Sequence, residues 1–177
     1  MRSLTAPAEN FLCKMSDNTF GIKFGAFRIR DMISGITLVD VPEEDILKEE
    51  GVLTPEQLED PTKRLVKYHF GPDFLMLQTI GLKVEFSVGD NPVSNMIMIE
   101  RHYFKDKCIK SFEFDFAFCI PNSKNSWEVI YDLPQLDDEE KQDMIDSPWA
   151  TKSDTFFFVG EKLVIHNRAE YNYAPLD

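Results

Sequence analysis

Five apolar side chains at alternate positions near the middle of the sequence constrain the fold most strongly. Phe112, Phe114, Phe116, Phe118 and Ile120 fall at every second position, with small or acidic residues between them. Successive side chains of a strand point to opposite faces, so this spacing places all five on one face. A helix would scatter them around its axis, and the spacing therefore predicts a long strand.

The segment just before this strand has the same period. Met96, Met98, Glu100, His102 and Phe104 share one face, so an apolar face ends in a carboxylate and an imidazole. These residues leave three readings open. The two polar side chains could be an acid and a base in catalysis, a structural hydrogen-bonded pair, or polar groups that read a ligand at the end of an apolar cavity.

The aromatic row has two readings of its own. Alternating aromatic residues on a strand usually belong to a packed core, and the same face could also line a cavity. Two features favour a cavity: methionine offers an adaptable surface to a variable apolar ligand, and ligand sites commonly combine apolar walls with a few polar groups.

Short apolar alternations recur along the rest of the chain and predict eight or nine strands. Between Pro42 and Lys63 the pattern stops, which indicates a connecting loop or a partner-binding loop, with a short helix beginning after Thr54. A second short helix is predicted over Asp137–Ile145. Phe27 and Ile29 break the alternation of the first strand, which indicates a bulge or a switch of face there. Closely spaced strands joined by turns predict an all-β fold, a sandwich or a barrel.

Length and charge bound the class of protein. The 177 residues suit one domain, and we expect residues 19–177 to form it, after a short, partly disordered N-terminal segment at 1–18. The net charge of −12 argues against nucleic acid or an anionic membrane as the main partner. No apolar run approaches the ~18 residues of a spanning helix, so we expect a soluble protein without stable membrane insertion.

Signatures of enzymes and metal sites are missing from the sequence. There is no nucleophile elbow, no zinc-protease helix motif, no phosphate loop and no dinucleotide fingerprint. The three cysteines lack zinc or redox spacing, and no signal peptide is recognised, so we expect reduced thiols in a cytoplasmic protein. These observations predict a binding protein that is not an enzyme and needs no cofactor.

Several long motifs resemble one known family. They are ERHYFKDKCIKSFEFDFAFCIPNSKNSWE at 100–128, FRIRDM at 27–32, VEFSVGDNPVSN at 84–95, SDTFFFV at 153–159 and HNRAEYNY at 166–173. In this order they resemble the Unc-119 (uncoordinated-119) lipid-binding chaperones, within the superfamily of the cGMP-phosphodiesterase delta subunit. The similarity covers about residues 11–173.

The resemblance implies a fold and a function. The fold is an immunoglobulin-like β-sandwich with a hydrophobic pocket between its sheets and one or two short helices. The function is transport of N-terminally myristoylated proteins, such as G-protein α subunits and ciliary or flagellar cargo, through the cytoplasm to a membrane or cilium. Release of the cargo falls to a GTP-loaded ADP-ribosylation-factor-like (Arf-like) GTPase, of which the carrier is an effector.

The resemblance also implies which residues contact lipid. The family's pocket positions match Phe24, Phe27, Val66, Tyr68, Phe74, Glu100, His102, Phe112, Phe114, Tyr131, Leu133, Phe157 and Tyr171 here. Leu133 stands where the family usually has Phe, Phe157 where it has Tyr, and Trp127 where it has Cys. Because Trp127 is closer to the delta-subunit branch, a prenyl-binding carrier is the alternative. A lipid-acting enzyme that uses Glu100 and His102 is a further one.

Overall fold

Apolar side chains at alternate positions fold into nine strands, as the sequence predicted. The computed structural model describes residues 5–177, apart from the side chains of residues 49 and 50. The strands are β1 (Lys23–Asp31), β2 (Thr37–Val41), β3 (Leu65–His69), β4 (Thr79–Ser87), β5 (Val93–Phe104), β6 (Lys107–Cys119), β7 (Lys124–Asp132), β8 (Thr151–Val159) and β9 (Lys162–Asn172).

Four short helices interrupt the strands. They are α1 (Glu43–Glu50), α2 (Pro55–Glu59), α3 (Pro61–Arg64) and α4 (Asp138–Asp146). The predicted helices correspond to α2, where Thr54 accepts a hydrogen bond from the Gln57 amide, and to α4. We predicted a loop for the rest of 42–63, and this was wrong: α1 and α3 also form there. Helix α3 has Pro61 at its first position, and α1 follows Pro42 and carries acidic residues in its first turn; both features favour a helix start without apolar periodicity.

The strands form two sheets that pack face to face. Sheet A has the order β2-β1-β4-β7, and sheet B has the order β3-β9-β8-β5-β6. Neighbouring strands are antiparallel except for β3, which runs parallel to β9. The arrangement confirms the predicted all-β sandwich and rules out the closed barrel.

The central hairpin of β5 and β6 places both predicted faces in register. Met98 lies opposite Phe114, and Glu100 lies opposite Phe112. The end of β6 departs from the expectation for the aromatic row, since Phe118 is 56% exposed and Ile120, just beyond the strand, is 66% exposed. Alternation fixes the face on which a side chain lies, but that face is buried only where the opposite sheet covers it.

Strand β1 contains the irregularity that the sequence indicated. Its pairing with β4 shifts register between Phe24 and Phe27. A bulge of this kind turns the strand locally, so that both aromatic side chains reach the space between the sheets. The predicted bulge is therefore confirmed, and it places two aromatic rings from one strand on the same side.

The packed core occupies one end of the sandwich, and a cavity takes up the other part of the inner space. The core cluster consists of buried residues from both sheets: Ile22, Phe86, Val88, Val93, Met96, Met98, Cys119, Phe157, Val159 and Val164. Each large apolar side chain buried here stabilises the fold by roughly 1.5–3 kcal/mol. Within residues 5–177, no helix is long and apolar enough to cross a membrane.

The described part of the N-terminal segment lies on the outer face of sheet B. Ala8 and Cys13 are buried there, and a short 3-10 helix follows at Met15–Asp17. Backbone amides of this segment bond to side chains of β8 and β9. The segment is thus held by contacts with residues about 150 positions away in the sequence.

Candidate functional site

A cavity of about 870 Å³ lies between the two sheets. Its walls come from β1, β4 and β7 of sheet A and from all five strands of sheet B, while the helices and the loop after β7 close around it. The volume falls in the range of roughly 300–1,000 Å³ that is usual for small-molecule sites. A sandwich whose core is completely filled would leave no such space. The inner faces of the two sheets therefore pack against each other in one part and enclose a cavity in the other.

Twelve of the thirteen residues expected to contact lipid line this cavity. They are Phe24, Phe27, Val66, Tyr68, Phe74, Glu100, His102, Phe112, Tyr131, Leu133, Phe157 and Tyr171. Phe114 does not line it and packs instead against the core cluster, with its ring edge-on to Trp127 at 6.4 Å. The structure therefore brings twelve of these side chains to one enclosed surface, and contact with lipid stays a prediction for those twelve, whereas Phe114 lies beside the core.

The boundary between the core and the cavity is made of apolar side chains that belong to both. Met98, Phe157 and Val164 are buried members of the core cluster and also line the cavity. The rings of Phe24 and Phe157 meet across the two sheets, with their centroids 4.9 Å apart. This pair gives the cavity an aromatic wall close to the packed core.

A second aromatic contact spans the sheets near the polar residues. The rings of Phe112 on β6 and Tyr131 on β7 lie 4.3 Å apart, and His102 stands edge-on to Phe112 at 6.0 Å. Tyr68 on β3 stacks with Tyr171 on β9 at 5.6 Å. Aromatic side chains thus surround the carboxylate and the imidazole on several sides.

Glu100 is buried, and both of its carboxylate oxygens have partners. Oε1 lies 2.6 Å from Nε2 of His102 on the same strand, and Oε2 accepts a hydrogen bond from Thr155 at 3.1 Å. Residues i and i+2 of a strand share a face, and Thr155 lies directly opposite Glu100 on β8. A carboxylate that accepts bonds from two sides is held in one orientation.

Two further hydroxyl groups of β8 face the cavity. Ser153 lies 2.9 Å from the hydroxyl of Tyr171. Thr151 also lines the cavity, and its Oγ1 is the one buried side-chain polar atom of the described residues that has no hydrogen-bond partner. A buried hydroxyl without a partner costs free energy, so Thr151 is a position where a polar group of a ligand would be accommodated.

Four tyrosines of the cavity wall remain protonated at neutral pH. Burial, and next the negative charge of Glu100, raises the pKa of Tyr68 to about 12. The same two causes raise the pKa of Tyr131 and Tyr171, and burial alone raises that of Tyr173. Their hydroxyl groups can therefore donate hydrogen bonds in an otherwise apolar space.

The mouth of the cavity was not predicted. We infer its position from the lining residues that are exposed to solvent, which include Met15, Leu47 and Val66. Leu58 and Arg64 of α2 and α3 lie beside them. The only local signal was a few apolar residues within the acidic stretch 42–63. The hydroxyl residues of β8 were also missed, although Thr151, Ser153 and Thr155 alternate in the sequence.

The polar residues of the cavity wall are not part of a metal-binding cluster among the described residues. In the part of the chain that the structure describes, no three His, Cys, Asp or Glu side chains group closely enough to hold a metal ion. The cavity offers an apolar surface and a small set of oriented hydrogen-bonding groups.

Comparison with known proteins places this geometry in a family. A sequence model described as "GMP-PDE, delta subunit" matches residues 16–173. Protein unc-119 homolog B-A of Xenopus laevis is 46% identical over 170 residues, which cover 96% of this chain and 70% of that protein. Protein unc-119 homolog B of Homo sapiens is 46% identical over 177 residues, with 96% and 68% covered.

A nematode relative agrees with the two vertebrate ones. Protein unc-119 of Caenorhabditis elegans is 44% identical over 171 residues, which cover 97% of this chain and 76% of that protein. The matched region includes both sheets and every residue that lines the cavity from Asn18 to Tyr173. The chain therefore belongs to the GMP-PDE delta-subunit family and, within it, to the Unc-119 proteins.

Proposed function

We propose that this protein is a lipid-binding carrier that holds the acyl chain of N-terminally myristoylated proteins in the cavity between its sheets. The observation that carries the proposal is an enclosed apolar cavity of about 870 Å³ with one oriented polar cluster in its wall. It carries cargo through the cytoplasm to a membrane, including that of a cilium or flagellum. Membership of the Unc-119 proteins supports the same function.

Burial of the chain supplies the binding free energy. A covalent acyl chain gains roughly 0.8 kcal/mol for each buried CH₂ group. A whole myristoyl chain then gains on the order of 10 kcal/mol before the cost of association is subtracted. Phe24, Phe157 and Met98 offer the apolar surface for this burial.

The polar cluster formed by Glu100 and His102 binds the polar atoms next to the acyl chain. Glu100 and His102 lie on the wall of the same cavity, and the amide groups that follow an acylated glycine need partners once they leave water. A site with fixed polar groups rejects a ligand that leaves those groups unpaired. We propose that this cluster favours an acylated peptide over a prenyl chain, which carries no amide at the corresponding place.

The arrangement of Glu100 favours a carrier over an enzyme. Both carboxylate oxygens are already bonded to His102 and Thr155, and the nearby serine, Ser153, bonds to Tyr171 rather than to the histidine. A nucleophile that is to be activated needs a base within hydrogen-bond reach. Orientation of a bound polar group requires only the fixed carboxylate.

A titration tests the carrier function. A fluorescent peptide that begins with glycine is compared in three forms: myristoylated, unacylated, and farnesylated at a C-terminal cysteine. We expect tight binding of the myristoylated form, and binding of the unacylated form at least about 1,000-fold weaker. The unacylated form lacks the buried chain, and each 1.4 kcal/mol of lost binding free energy lowers the affinity about tenfold. Equal affinity for the first two forms would contradict the proposal, and a preference for the third would favour the prenyl carrier.

Release by an Arf-like GTPase in its GTP form is part of the proposal. A carrier that gains its affinity from burying a chain releases it slowly, because affinity differences lie mainly in the off-rate. Fast delivery then requires a partner that binds a second, more open state of the carrier. The partner must bind the open state about 10⁴-fold more tightly than the closed state to shift the open-to-closed ratio from about 1:99 to about 99:1.

The release step is tested by stopped-flow dissociation of a labelled myristoylated peptide. The GTPase is locked in its GTP or GDP form and added at concentrations that saturate the carrier. We expect faster dissociation with the GTP form and, because coupling between binding sites is reciprocal, equally weakened GTPase binding by loaded carrier. Identical off-rates with both forms would contradict GTP-dependent release.

A further inference from the structure

A buried carboxylate and a buried imidazole form a hydrogen-bonded pair on the outer face of sheet B, on the opposite side from the cavity. Asp154 on β8 and His166 on β9 are each 1% exposed, and Oδ1 of the carboxylate lies 2.8 Å from Nε2 of the imidazole. Their neighbours in the sequence, such as Ser153 and Asn167, line the cavity instead. The pair has no part in the proposed lipid site, yet a buried charge needs a structural reason.

Arg168 on β9 lies with its Nε 3.5 Å from Oδ1 of Asp154, and the N-terminal segment supplies two further partners of the pair. The amide of Ala8 donates to Oδ2 of Asp154 at 2.8 Å, and the amide of Leu12 donates to Nδ1 of His166 at 2.9 Å. Because Nδ1 accepts, the imidazole proton lies on Nε2 and is donated to Asp154. The ring of Phe11 covers His166 with centroids 5.4 Å apart. The segment is thus docked by specific bonds.

The same segment is bonded to the helices at the mouth of the cavity. Arg64, the last residue of α3, donates to the carbonyl of Cys13 at 3.0 Å and lies 3.8 Å from the centre of the Phe11 ring. Glu59, the last residue of α2, accepts a hydrogen bond from the amide of Met15 at 2.8 Å and pairs with Arg64 at 3.6 Å.

These bonds connect the outer face of sheet B to the mouth. Met15, Leu58 and Arg64 all line the cavity where it opens. The short helices α2 and α3 contain five and four residues and make few contacts with the sheets, so they need other partners to stay in place. A helix this short is not stable by itself in water.

We infer that residues 8–15 form a clasp that holds α2 and α3 over the mouth of the cavity and limits how fast a bound chain enters and leaves. One end of the clasp is anchored on the pair Asp154 and His166, and the other end is bonded to Glu59 and Arg64. Opening of the mouth breaks the bonds to Glu59 and Arg64. The inference rests on the proposed function in that the ligand is an acyl chain.

Two test variants, each with a matched control, test whether the clasp holds α2 and α3. Glu59→Ala removes the acceptor for the Met15 amide, and Glu56→Ala removes the same charge from an exposed position of the same helix. Phe11→Ala removes the ring between His166 and Arg64, whereas Leu12→Ala trims a side chain that is 46% exposed and keeps its amide. Neither control residue lines the cavity.

The first measurement is hydrogen–deuterium exchange of ligand-free protein over residues 54–64. We expect Glu59→Ala and Phe11→Ala to increase exchange there on the order of tenfold, since a tenfold change corresponds to the loss of a modest hydrogen bond. The controls should exchange like the unchanged protein. Urea unfolding confirms that each variant remains folded. Unchanged exchange in both test variants would overturn the clasp.

The second measurement is the off-rate of a fluorescent myristoylated peptide from the same four variants. We expect Glu59→Ala and Phe11→Ala to speed release on the order of tenfold and the controls to leave it unchanged. Faster exchange with an unchanged off-rate would overturn the inference that the clasp limits how fast the bound chain leaves. If no variant binds the peptide, the proposed function fails, and the exchange data still decide whether the clasp holds α2 and α3.

Discussion

Glu100 and His102 occupy alternate positions of β5, and Oε1 of the carboxylate lies 2.6 Å from Nε2 of the imidazole, inside the wall of an apolar cavity. Buried polar side chains usually have a hydrogen-bond partner, and these two residues of one strand are partners of each other. Thr155 on the adjacent strand adds a third group. The cluster is therefore built into the sheet rather than carried on a flexible loop.

The first prediction concerns selectivity. Replacing both Glu100 and His102 by Ala should narrow the ratio of affinities for myristoylated and farnesylated peptides on the order of tenfold, because the groups that discriminate between them are gone. Both residues are replaced together, since one alone would leave a buried polar partner unpaired. The control is Glu113→Ala, an exposed carboxylate on the neighbouring strand. An unchanged ratio in a folded double variant would indicate a purely structural pair.

The second prediction separates cavity from core along β6. Phe112 lines the cavity and Phe114 does not, so Phe112→Ala should weaken peptide binding about tenfold or more, since a buried aromatic side chain is worth roughly 1.5–3 kcal/mol. Phe114→Ala should leave affinity nearly unchanged and lower the free energy of unfolding, by less than the about 3–5 kcal/mol of a fully buried Phe. Titration and urea unfolding measure the two effects. The opposite pattern would contradict the assignment of these two rings.

The third prediction compares two threonines of β8 that both line the cavity. Thr151 has a buried hydroxyl without a partner, so Thr151→Val should raise the free energy of unfolding by up to about 1 kcal/mol. The hydroxyl of Thr155 donates to Glu100, so Thr155→Val should lower it by about 1–2 kcal/mol. Urea unfolding of the ligand-free variants gives both values. Equal losses in the two variants would show that Thr151 is satisfied in solution.

The fourth prediction is a loss of stability at alkaline pH. The pKa of Tyr68 is raised from its ordinary value of 10.0 to about 12, first by burial and then by the charge of Glu100. The folded protein keeps this proton to a higher pH than the unfolded chain does. The resulting stability is complete below about pH 10 and is lost as the pH rises towards about 12.

Tyr131 and Tyr171 shift in the same direction and add to this loss. We expect the urea midpoint, followed by circular dichroism, to fall across this range. Tyr68→Phe should give a shallower fall because it removes one contributor. A midpoint that stays constant from about pH 10 to 12 would contradict burial of these hydroxyl groups.

Local patterns predicted most of the strands, and the family resemblance supplied twelve of the residues that line the cavity. The alternation of Met98, Glu100 and His102 set their common face, because the side-chain period of a strand is two. The same rule could not tell that Phe112 lines a cavity while Phe114 fills the core, since both environments are apolar. It also could not show that Phe118 extends past the cover of the opposite sheet.

Contacts between distant parts of the chain could not be predicted from the sequence. The bond from Ala8 to Asp154 joins residues 146 positions apart, and the bond from Leu12 to His166 joins residues 154 apart. Neither segment carries a periodic pattern that indicates the other. The mouth formed by α2 and α3 was missed for the same reason, because very short helices are fixed by their tertiary partners rather than by their own sequence.

The most direct test of the carrier function is a crystal structure of the protein with a glycine peptide whose myristoyl chain ends in bromine, so that the end of the chain can be located by its anomalous signal. We expect the bromine to lie between the sheets among the apolar cavity residues, and the peptide amides to lie near Glu100 and His102. A chain bound to an outer face, with the cavity between the sheets left empty, would contradict the proposed function.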